Sequence, residues 1–455
     1  MREIAKPPLT YAYYALLYLG IVSFLFIILR TDRIEPLWEF FPDSSDYKIQ
    51  SEYSIFSLDF FSPKPKINLA PRPFTIPLFY KIASSNPYKM IMLQKIAYCF
   101  SVIVLIFSIL NYLSHQLLKV LSAYLLLYYF TWWNIVGWSD NILSESLSMS
   151  ILLLWFSIIL VYYKHQSSLI LFLLICISIL LSFTRDTWPY IILVFAILNT
   201  LFFVLLKHNL IKGNLVFLVF SIFLFLIQNY TSSIGERYKL PVFNSIVGRV
   251  SQNDEYIKWF EDEGMPLSKN IIKDFRGIDI DDDNNRVKVY SKYKDSLYSQ
   301  LSLWILKDGK AAYQKFLITH WSYFFLFDQT ETQRNRIFCS KLLNYTKEPK
   351  GFYLQTDKTF PFFSLLSTAL FLIIIFLLLI KTRDKILFFP ILLFLLFGIN
   401  ALISYNADAL EVERHLFITQ IVLELINIIS LILIINYCAV YFKAFYKNKL
   451  IHRFQ

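Results

Sequence analysis

Long apolar runs constrain this chain more than any other feature of its sequence. Of its 455 residues, 56% are hydrophobic and only 17% are charged, against roughly 25% charged residues in an ordinary soluble domain. Several runs reach the roughly 20 residues that a helix needs to cross a bilayer. The sequence therefore predicts an all-α polytopic membrane protein, integral to the plasma (inner) membrane. We expect about ten transmembrane helices, at 11–30, 90–112, 118–135, 143–163, 167–184, 189–206, 214–230, 361–380, 386–404 and 415–442.

Charged residues are sorted between the two sets of ends of these runs. Lysines and arginines gather at one set, from Arg2 and Lys6 at the start of the chain to Lys443 and Arg453 at its end. Because short cytoplasmic loops are rich in Lys and Arg, both termini are predicted to be cytoplasmic. Much of the net charge of +11 is explained in this way, so no nucleic-acid partner is expected. Acids and isolated arginines then collect at the outer ends.

Two segments between the predicted helices are too long to be simple connectors. The first outward loop, 31–89, has aromatic and apolar patches such as 56–61, which suit short interfacial helices lying on the bilayer. The segment 231–360 is largely polar. Its part 292–327 has apolar spacing compatible with helices and is expected to lie partly against the membrane.

The chain is accordingly divided into three parts. An N-terminal transmembrane module, 1–230, contains the first outward loop and its candidate catalytic residues. A large extracytoplasmic loop covers 231–360. The C-terminal transmembrane helices and a basic cytoplasmic tail cover 361–455.

An acidic stretch in the first outward loop is the leading candidate site. Asp43 and Asp46 stand three residues apart, just past the first apolar run, and Tyr47 follows them. Two carboxylates near a membrane surface are costly to leave half-solvated, and they usually bind a metal, a cation or a proton. One could take a proton from a hydroxyl nucleophile, and the pair could share a divalent cation. The alternative is a solvated acidic turn.

Arg72 lies among prolines in the same loop. Pro71, Pro73 and Pro77 predict a rigid extended segment that enters the second transmembrane helix. An arginine fixed in this way is a good ligand for phosphate or carboxylate. The alternative is a plain proline-rich entry to a membrane helix.

Two more charged groups lie at the outer ends of predicted helices. Glu145 opens the fourth helix, where it could contact a substrate hydroxyl or a metal. Alternatively it occupies the first turn of a helix capped by a preceding Ser or Asp. Arg185 follows the fifth helix and is placed to meet an anionic lipid head group. Alternatively Arg185 and Asp186 satisfy each other.

The last predicted helix carries the remaining ionisable candidates. Glu413, Arg414 and His415 lie at its outer start, where Arg and His could clamp a phosphate. A charge cluster at a helix start is the alternative. Glu424, farther along the same helix, is an exception in apolar runs that look nearly free of ionisable residues. The Glu424 carboxylate either pairs with a polar group between helices or belongs to a polar path through the membrane.

Together and in this order, these pieces resemble the GT-C-type membrane glycosyltransferases that use polyprenyl-phosphate sugars. The matching elements share the outward side: Asp43-Ser-Ser-Asp46-Tyr47, Arg72-Pro73, Ser144-Glu145-Ser146, Arg185-Asp186 and Glu413-Arg414-His415. The resemblance covers the membrane part and not 231–360. His415 stands where this family more usually has Tyr.

The resemblance implies an inverting sugar transfer from a polyprenyl-phosphate donor to a glycan, lipid or protein acceptor. Asp43 would be the general base that deprotonates the acceptor hydroxyl, and polyprenyl phosphate would leave. Asp43 and Asp46 would be the ligands of a divalent metal ion, and no other cofactor is expected. The other implied substrate-binding residues are Asp46, Tyr47, Arg72, Glu145, Arg185, Glu413, Arg414 and His415.

Two other classes of function stay open at this point. An envelope polysaccharide polymerase or ligase would use outward Arg and His rather than an Asp of the first loop. A transporter or channel would place ionisable residues near the bilayer midplane. The predicted helices look nearly free of such residues, and Glu424 is the exception.

Overall fold

The computed structural model describes residues 8–29, 42–66, 69–205, 211–278, 283–325, 365–409 and 412–451. Within these ranges the chain is helical, and its β-type pairing is a single bridge between Lys66 and Leu69. The α-helices in chain order are α1 Pro8–Leu29, α2 Pro42–Glu52, α3 Leu58–Phe61, α4 Thr75–Ile82, α5 Pro87–Leu110, α6 Gln116–Phe130, α7 Trp133–Val136, α8 Ser144–His165, α9 Ser168–Ser182, α10 Trp188–Leu205, α11 Ile211–Ile234, α12 Lys239–Gly248, α13 Asp254–Asp262, α14 Ser268–Phe275, α15 Asp283–Tyr293, α16 Ser299–Trp304, α17 Lys310–Thr319, α18 Trp321–Phe324, α19 Leu365–Thr382, α20 Phe388–Ala407 and α21 Val412–Ile451.

Apolar helices of membrane-spanning length dominate this fold. Among the described residues, seven are long and apolar enough to cross a bilayer: Tyr11–Leu29, Pro87–Leu110, Ser144–His165, Trp188–Leu205, Ile211–Ile234, Lys385–Ala407 and Leu416–Lys443. Three shorter apolar helices are Gln116–Phe130, Ser168–Ser182 and Leu366–Thr382. Each predicted span thus overlaps a helix, which confirms the all-α membrane class. That all ten cross the membrane, with both termini cytoplasmic, stays a prediction.

The centre of the bundle is α8, which packs along α5. Its first turns carry four buried serines, at 144, 146, 148 and 150. Small side chains let the backbones of membrane helices approach closely. Farther along α8, Trp155 is fully buried and its ring lies 4.6 Å from that of Phe195 on α10. The first turns of α8, where Glu145 lies, are therefore part of the buried centre of the bundle.

The first predicted outward loop differs from the expectation in two places. Asp43 and Asp46 were expected in a loop, and they lie in the first turns of α2, where Pro42 begins the helix. Proline suits the first helical position because its missing N–H has no partner there anyway. The Arg72 segment does not enter the second span directly. It leads into α4, and a turn with positive φ at Ser84 and Ser85 (55° and 53°) separates α4 from α5.

The segment 235–325 forms a compact group of short helices with its own hydrophobic core, built around Phe243, Phe260 and Phe316. Helix α11 runs to Ile234, through the predicted boundary at 230. The segment is fastened to the end of α20 by Arg249, whose guanidinium carbon lies 3.7 Å from the centre of the Tyr405 ring. The helical character expected for 292–327 is confirmed up to 325, although the helices are short. Residues 326–364 lie outside the described part.

Candidate functional site

Two carboxylates and one guanidinium form the centre of the candidate site. Because Asp43 and Asp46 are three residues apart on α2, they share one face of the helix. Arg72 donates from one terminal nitrogen to Asp43 at 2.6 Å and to Asp46 at 3.0 Å. Its Nε donates to the same oxygen of Asp46 at 3.2 Å. The partners of Arg72 are therefore these two acids, in the geometry that a planar guanidinium suits.

Backbone contacts fix the distance between α2 and the Arg72 segment. Gln50, on the next turns of α2, donates its side-chain amide to the carbonyl of Arg72 at 2.8 Å. It also accepts from the backbone N–H of Arg72 at 3.0 Å. The side chain of Gln50 is fully buried. A buried amide with both groups paired is a specific tie, because leaving either group unpaired would be costly.

The two acids differ in their surroundings. Both oxygens of Asp46 are engaged, one by Arg72 and the other by the backbone N–H of Ala70 at 3.1 Å. Burial raises the pKa of Asp46, against the opposing charge of Arg72 and the hydrogen bond from Ala70. The side chain of Asp43 is 17% exposed and that of Asp46 is 10% exposed. Asp43 is thus the more exposed of the two acids, and Arg72 contacts both.

Tyr47 lies beneath this cluster and not at its surface. It is 2% exposed, and its ring centre lies 6.0 Å from the guanidinium carbon of Arg72. An aromatic face at this distance attracts a cation weakly. Tyr47 therefore supports the orientation of Arg72.

Glu145 and Arg185 form a second pair. Glu145 is fully buried at the start of α8, and its carboxylate lies 3.8 Å from the guanidinium of Arg185, whose side chain is 12% exposed. The cap position of α8 is occupied by Leu143, with no side-chain hydrogen bond. The predicted cap by a preceding Ser or Asp is therefore wrong, whereas Glu145 does lie in the first turn of the helix. Glu145 and Arg185 form a pair of a buried acid and a slightly exposed arginine.

Contacts between distant segments bring the two pairs to the same end of the bundle. Ser44, next to Asp43, donates to the carbonyl of Ile142 at 2.8 Å, just before the α8 turn that carries Glu145. The N–H of Thr75 donates to the carbonyl of Phe183 at 3.0 Å, which joins the start of α4 to the link that carries Arg185. The structure thus brings four segments together that the sequence presented separately.

Lys95 is a residue that the sequence reasoning missed. It lies inside α5, is 2% exposed as a side chain, and its Nζ lies 2.8 Å from a carboxylate oxygen of Asp140. The neighbouring Gln94 donates to the carbonyls of Ser139 and Asn141 at 3.1 and 3.0 Å. Burial raises the pKa of Asp140, and the charge of Lys95 opposes it. These contacts hold the turn that leads into α8. The signal available in the sequence was a lone lysine in an apolar run.

Arg237 is the other omission, and it overturns one alternative. The Arg237 guanidinium donates to both oxygens of Asp186, with the shortest distance 2.9 Å, and it is 4% exposed. Gln228 donates to the same carboxylate at 2.6 Å. Asp186 is therefore paired with Gln228 of α11 and with Arg237 at the start of the 235–325 segment. The alternative in which Arg185 and Asp186 satisfy each other is replaced by this pairing and by that of Arg185 with Glu145. A separation of 51 residues leaves no local signal for it.

Two predicted groups lie on α21, the last described helix. The backbone of Glu413, Arg414 and His415 is helical in α21, and their side chains lie outside the described part of the chain. Their proposed phosphate contact stays a prediction. Glu424 lies farther along the same helix, and one of its carboxylate oxygens is buried with no hydrogen-bond partner among the described residues.

A divalent cation shared by Asp43 and Asp46 does not fit these side chains as they stand. The guanidinium of Arg72 already lies between both carboxylates and supplies the positive charge. Within the described ranges, no group of three or more His, Cys, Asp or Glu side chains comes together in a way that could hold a metal. A shared metal would require Arg72 to leave.

The fold and the site together define a class: an all-α membrane protein with a cluster of acids and arginines at one end of its helical bundle. No protein-family model matches the chain, and no curated protein matches it.

Proposed function

We propose that this chain is a membrane glycosyltransferase that moves a sugar from a polyprenyl-phosphate donor to an acceptor on the extracytoplasmic side. One observation carries the proposal. The acids of α2 and the arginines at 72 and 185 come together at one end of an apolar helical bundle. That end is where a lipid-linked phosphate would lie, at the boundary between acyl chains and water. A general base and cations are the groups that transfer from such a donor requires.

Asp43 acts as the general base in this proposal. It is the more exposed of the two acids, with 17% of its side chain exposed against 10% for Asp46. The acceptor hydroxyl gives its proton to Asp43 while its oxygen bonds to the anomeric carbon. The bond from that carbon to the donor phosphate breaks on the opposite face, so the configuration inverts. The bonding electron pair leaves with polyprenyl phosphate.

Arg185 stabilises the departing phosphate. Negative charge grows on the phosphate as the bond breaks, and a cation placed there beforehand lowers the barrier. Arg72 was expected to share this role, but its donors are directed at Asp43 and Asp46. Its role in the proposal is to orient the base. Arg414 and His415 stay the further candidates for contact with the phosphate.

The test is release of polyprenyl phosphate by purified full-length protein offered a panel of polyprenyl-phosphate sugars. Wild type is expected to consume one donor, and Asp43→Asn is expected to lose at least about 100-fold in turnover, the lower range for loss of a general base. Glu424→Gln is the matched control, because it likewise replaces one carboxylate by an amide, at a position on α21. It is expected to leave turnover unchanged.

Three results would count against the proposal. Full turnover in Asp43→Asn would exclude Asp43 as the base. Wild type that neither consumes nor binds any donor of the panel would contradict the glycosyltransferase class. Loss of function in Glu424→Gln together with full function in Asp43→Asn would favour a transporter.

A further inference from the structure

The segment 53–62, called the turn below, follows α2 and includes the short helix α3. It exposes large apolar side chains, and hydrogen bonds fix its conformation. Phe56 is 92% exposed and Leu58 is 86% exposed, while Phe60 nearby is 1% exposed. The hydroxyl of Ser57 donates to the carbonyl of Ser54 at 2.7 Å. The same oxygen accepts from the N–H of Phe60 at 3.2 Å, which caps α3. The sequence presents 56–61 as one apolar patch, and the structure divides it into an inward and an outward part.

The position of this turn is fixed relative to the membrane part. Ser62 donates its hydroxyl to the carbonyl of Thr231, in the last turn of α11, at 2.9 Å. Helix α11 is long and apolar enough to span a bilayer. Its exposed side chains Phe223, Leu226 and Tyr230 recur at helical spacing and end beside this contact. The exposed turn therefore continues the lipid-facing surface of a candidate span at its predicted outer end.

The chemistry of the turn favours lipid over a protein partner. The exposed apolar side chains here are Phe56 and Leu58, with parts of Ile55 and Phe61. Four side chains on one turn form a smaller surface than the roughly 20–30 residues per partner of a stable protein interface. They project like the apolar residues of interfacial segments, which enter the boundary between head groups and acyl chains. The exposed charges nearby balance in sign, with Lys64 and Lys66 against Glu52 and Asp59. Insertion should therefore depend on the apolar side chains and not on anionic lipid.

The turn is also connected to the candidate site. Phe61 packs against Phe74, with ring centres 5.0 Å apart, and Phe74 packs against Phe183 at 4.5 Å. Phe74 lies two residues after Arg72, and Phe183 lies two residues before Arg185. On the other side, the carbonyl of Phe60 accepts from Gln50 of α2 at 2.8 Å. The depth of the turn in the membrane would thus set the depth of the acids and arginines.

We propose that this turn inserts Phe56 and Leu58 into the adjacent lipid leaflet and thereby holds the carboxylates of α2 at head-group depth. The bound partner is the bilayer itself. The proposal requires that the chain spans a membrane, and it does not depend on sugar transfer. Its test can therefore succeed or fail whatever the reaction is.

The test is spin-label accessibility in nanodiscs of neutral phosphatidylcholine. Phe56→Cys and Leu58→Cys are labelled one at a time in the full chain, and Lys64→Cys is the matched control from the same loop. The background removes the cysteines other than the buried Cys99: Cys176→Ser, Cys339→Ser and Cys438→Ser. The quantity measured is the ratio of collisions with oxygen, which concentrates in lipid, to collisions with a water-soluble nickel chelate.

The expected ratio at 56 and 58 is several-fold higher than at 64. Equal ratios at the three positions would place the turn in water and overturn the proposal. Low collision rates with both reagents at 56 and 58 would show that protein covers the turn, and would also overturn it. Replacing a third of the phosphatidylcholine by an anionic lipid should leave the ratio unchanged, and a strong increase would mean that charge drives the contact.

Discussion

The buried pair formed by Lys95 and Asp140 allows the sharpest test of how the candidate site is held. The two side chains are 2.8 Å apart, but their exposures differ: 2% for Lys95 and 21% for Asp140. Removing one partner leaves the other as an uncompensated charge, which typically costs about 3–5 kcal/mol. The variants Lys95→Met and Asp140→Ala should therefore both be destabilised, but for different reasons and by different amounts.

The magnitude follows from how far water reaches each leftover charge. An ordinary aspartate gains a proton at pH 7 at a cost of about 4.2 kcal/mol, which limits the cost of leaving Asp140 alone. Because Lys95 is almost fully buried, Asp140→Ala should cost about 3–5 kcal/mol. In Lys95→Met, water reaches part of Asp140, so the cost should be about 3 kcal/mol or less. The double variant should cost much less than the two single variants added together.

The stability of Lys95→Met should depend on pH. Burial raises the pKa of Asp140 while Lys95 opposes that rise, so Lys95→Met removes the opposition and raises the pKa further. The folded variant then binds this proton more tightly than the unfolded chain does, and its free energy of unfolding increases as the pH falls. At pH 5 the cost of neutralising the acid is only about 1.5 kcal/mol.

The assay is equilibrium unfolding of the purified protein in mixed micelles between about pH 5 and pH 7, the range over which the cost of neutralising an aspartate changes from about 1.5 to about 4.2 kcal/mol. The exposed pair of Arg276 and Asp254 provides the control, with exposures of 37% and 81%. Arg276→Met should change the free energy of unfolding by less than about 1 kcal/mol. Additive costs for the Lys95 and Asp140 variants, or a free energy of unfolding of Lys95→Met that does not increase at acid pH, would refute this account of the pair.

Two further predictions follow from other ion pairs. Arg72→Lys keeps the charge but cannot bridge Asp43 and Asp46 through two nitrogens. Turnover should therefore fall roughly 10–100-fold in single-turnover kinetics, while the affinity for the donor, measured by binding, changes little. Full turnover would show that bridging is unnecessary. The hydrogen bond from Lys292 lowers the pKa of Asp274 below its ordinary 3.8, so this contribution to stability is present above pH 3.8 and is lost as the pH falls through the folded pKa. Amide hydrogen exchange across 235–325 should therefore accelerate at acid pH in wild type, and this acceleration should be smaller in Lys292→Gln. Equal acceleration in the two proteins would contradict the stabilising role of the Lys292–Asp274 pair.

The sequence predicted the positions of the long helices well because length and apolarity are local properties. It failed at α2, which is too polar and too short to be recognised by its apolar pattern. The local signals were there, since Pro42 can begin a helix and Asp43 suits its first turn. What holds α2 in place is distant in sequence, namely the contacts of Ser44 with Ile142 and of Gln50 with Arg72.

The candidate site was predicted as a set of residues but not as a set of partners. The acids and arginines are identifiable from the sequence, and Arg72 is predicted to bind phosphate or carboxylate, but the sequence does not show that its carboxylate partners are Asp43 and Asp46. Lys95 was missed because one lysine hardly changes the average apolarity of a long run. Arg237 was missed because its partner depends on how the chain folds back, which neither spacing nor composition records.

The start of the 235–325 segment also limits which substitutions the chain can accept. A Cβ added at Gly235 would lie 3.1 Å from that of Pro71, next to Arg72, while Arg237 holds Asp186, next to Arg185. Both contacts cross from this segment to the membrane part. A side chain added at 235 would press on Pro71, and loss of the Asp186 carboxylate would leave the buried Arg237 without this partner, so the effects of substitutions in the two parts should depend on each other.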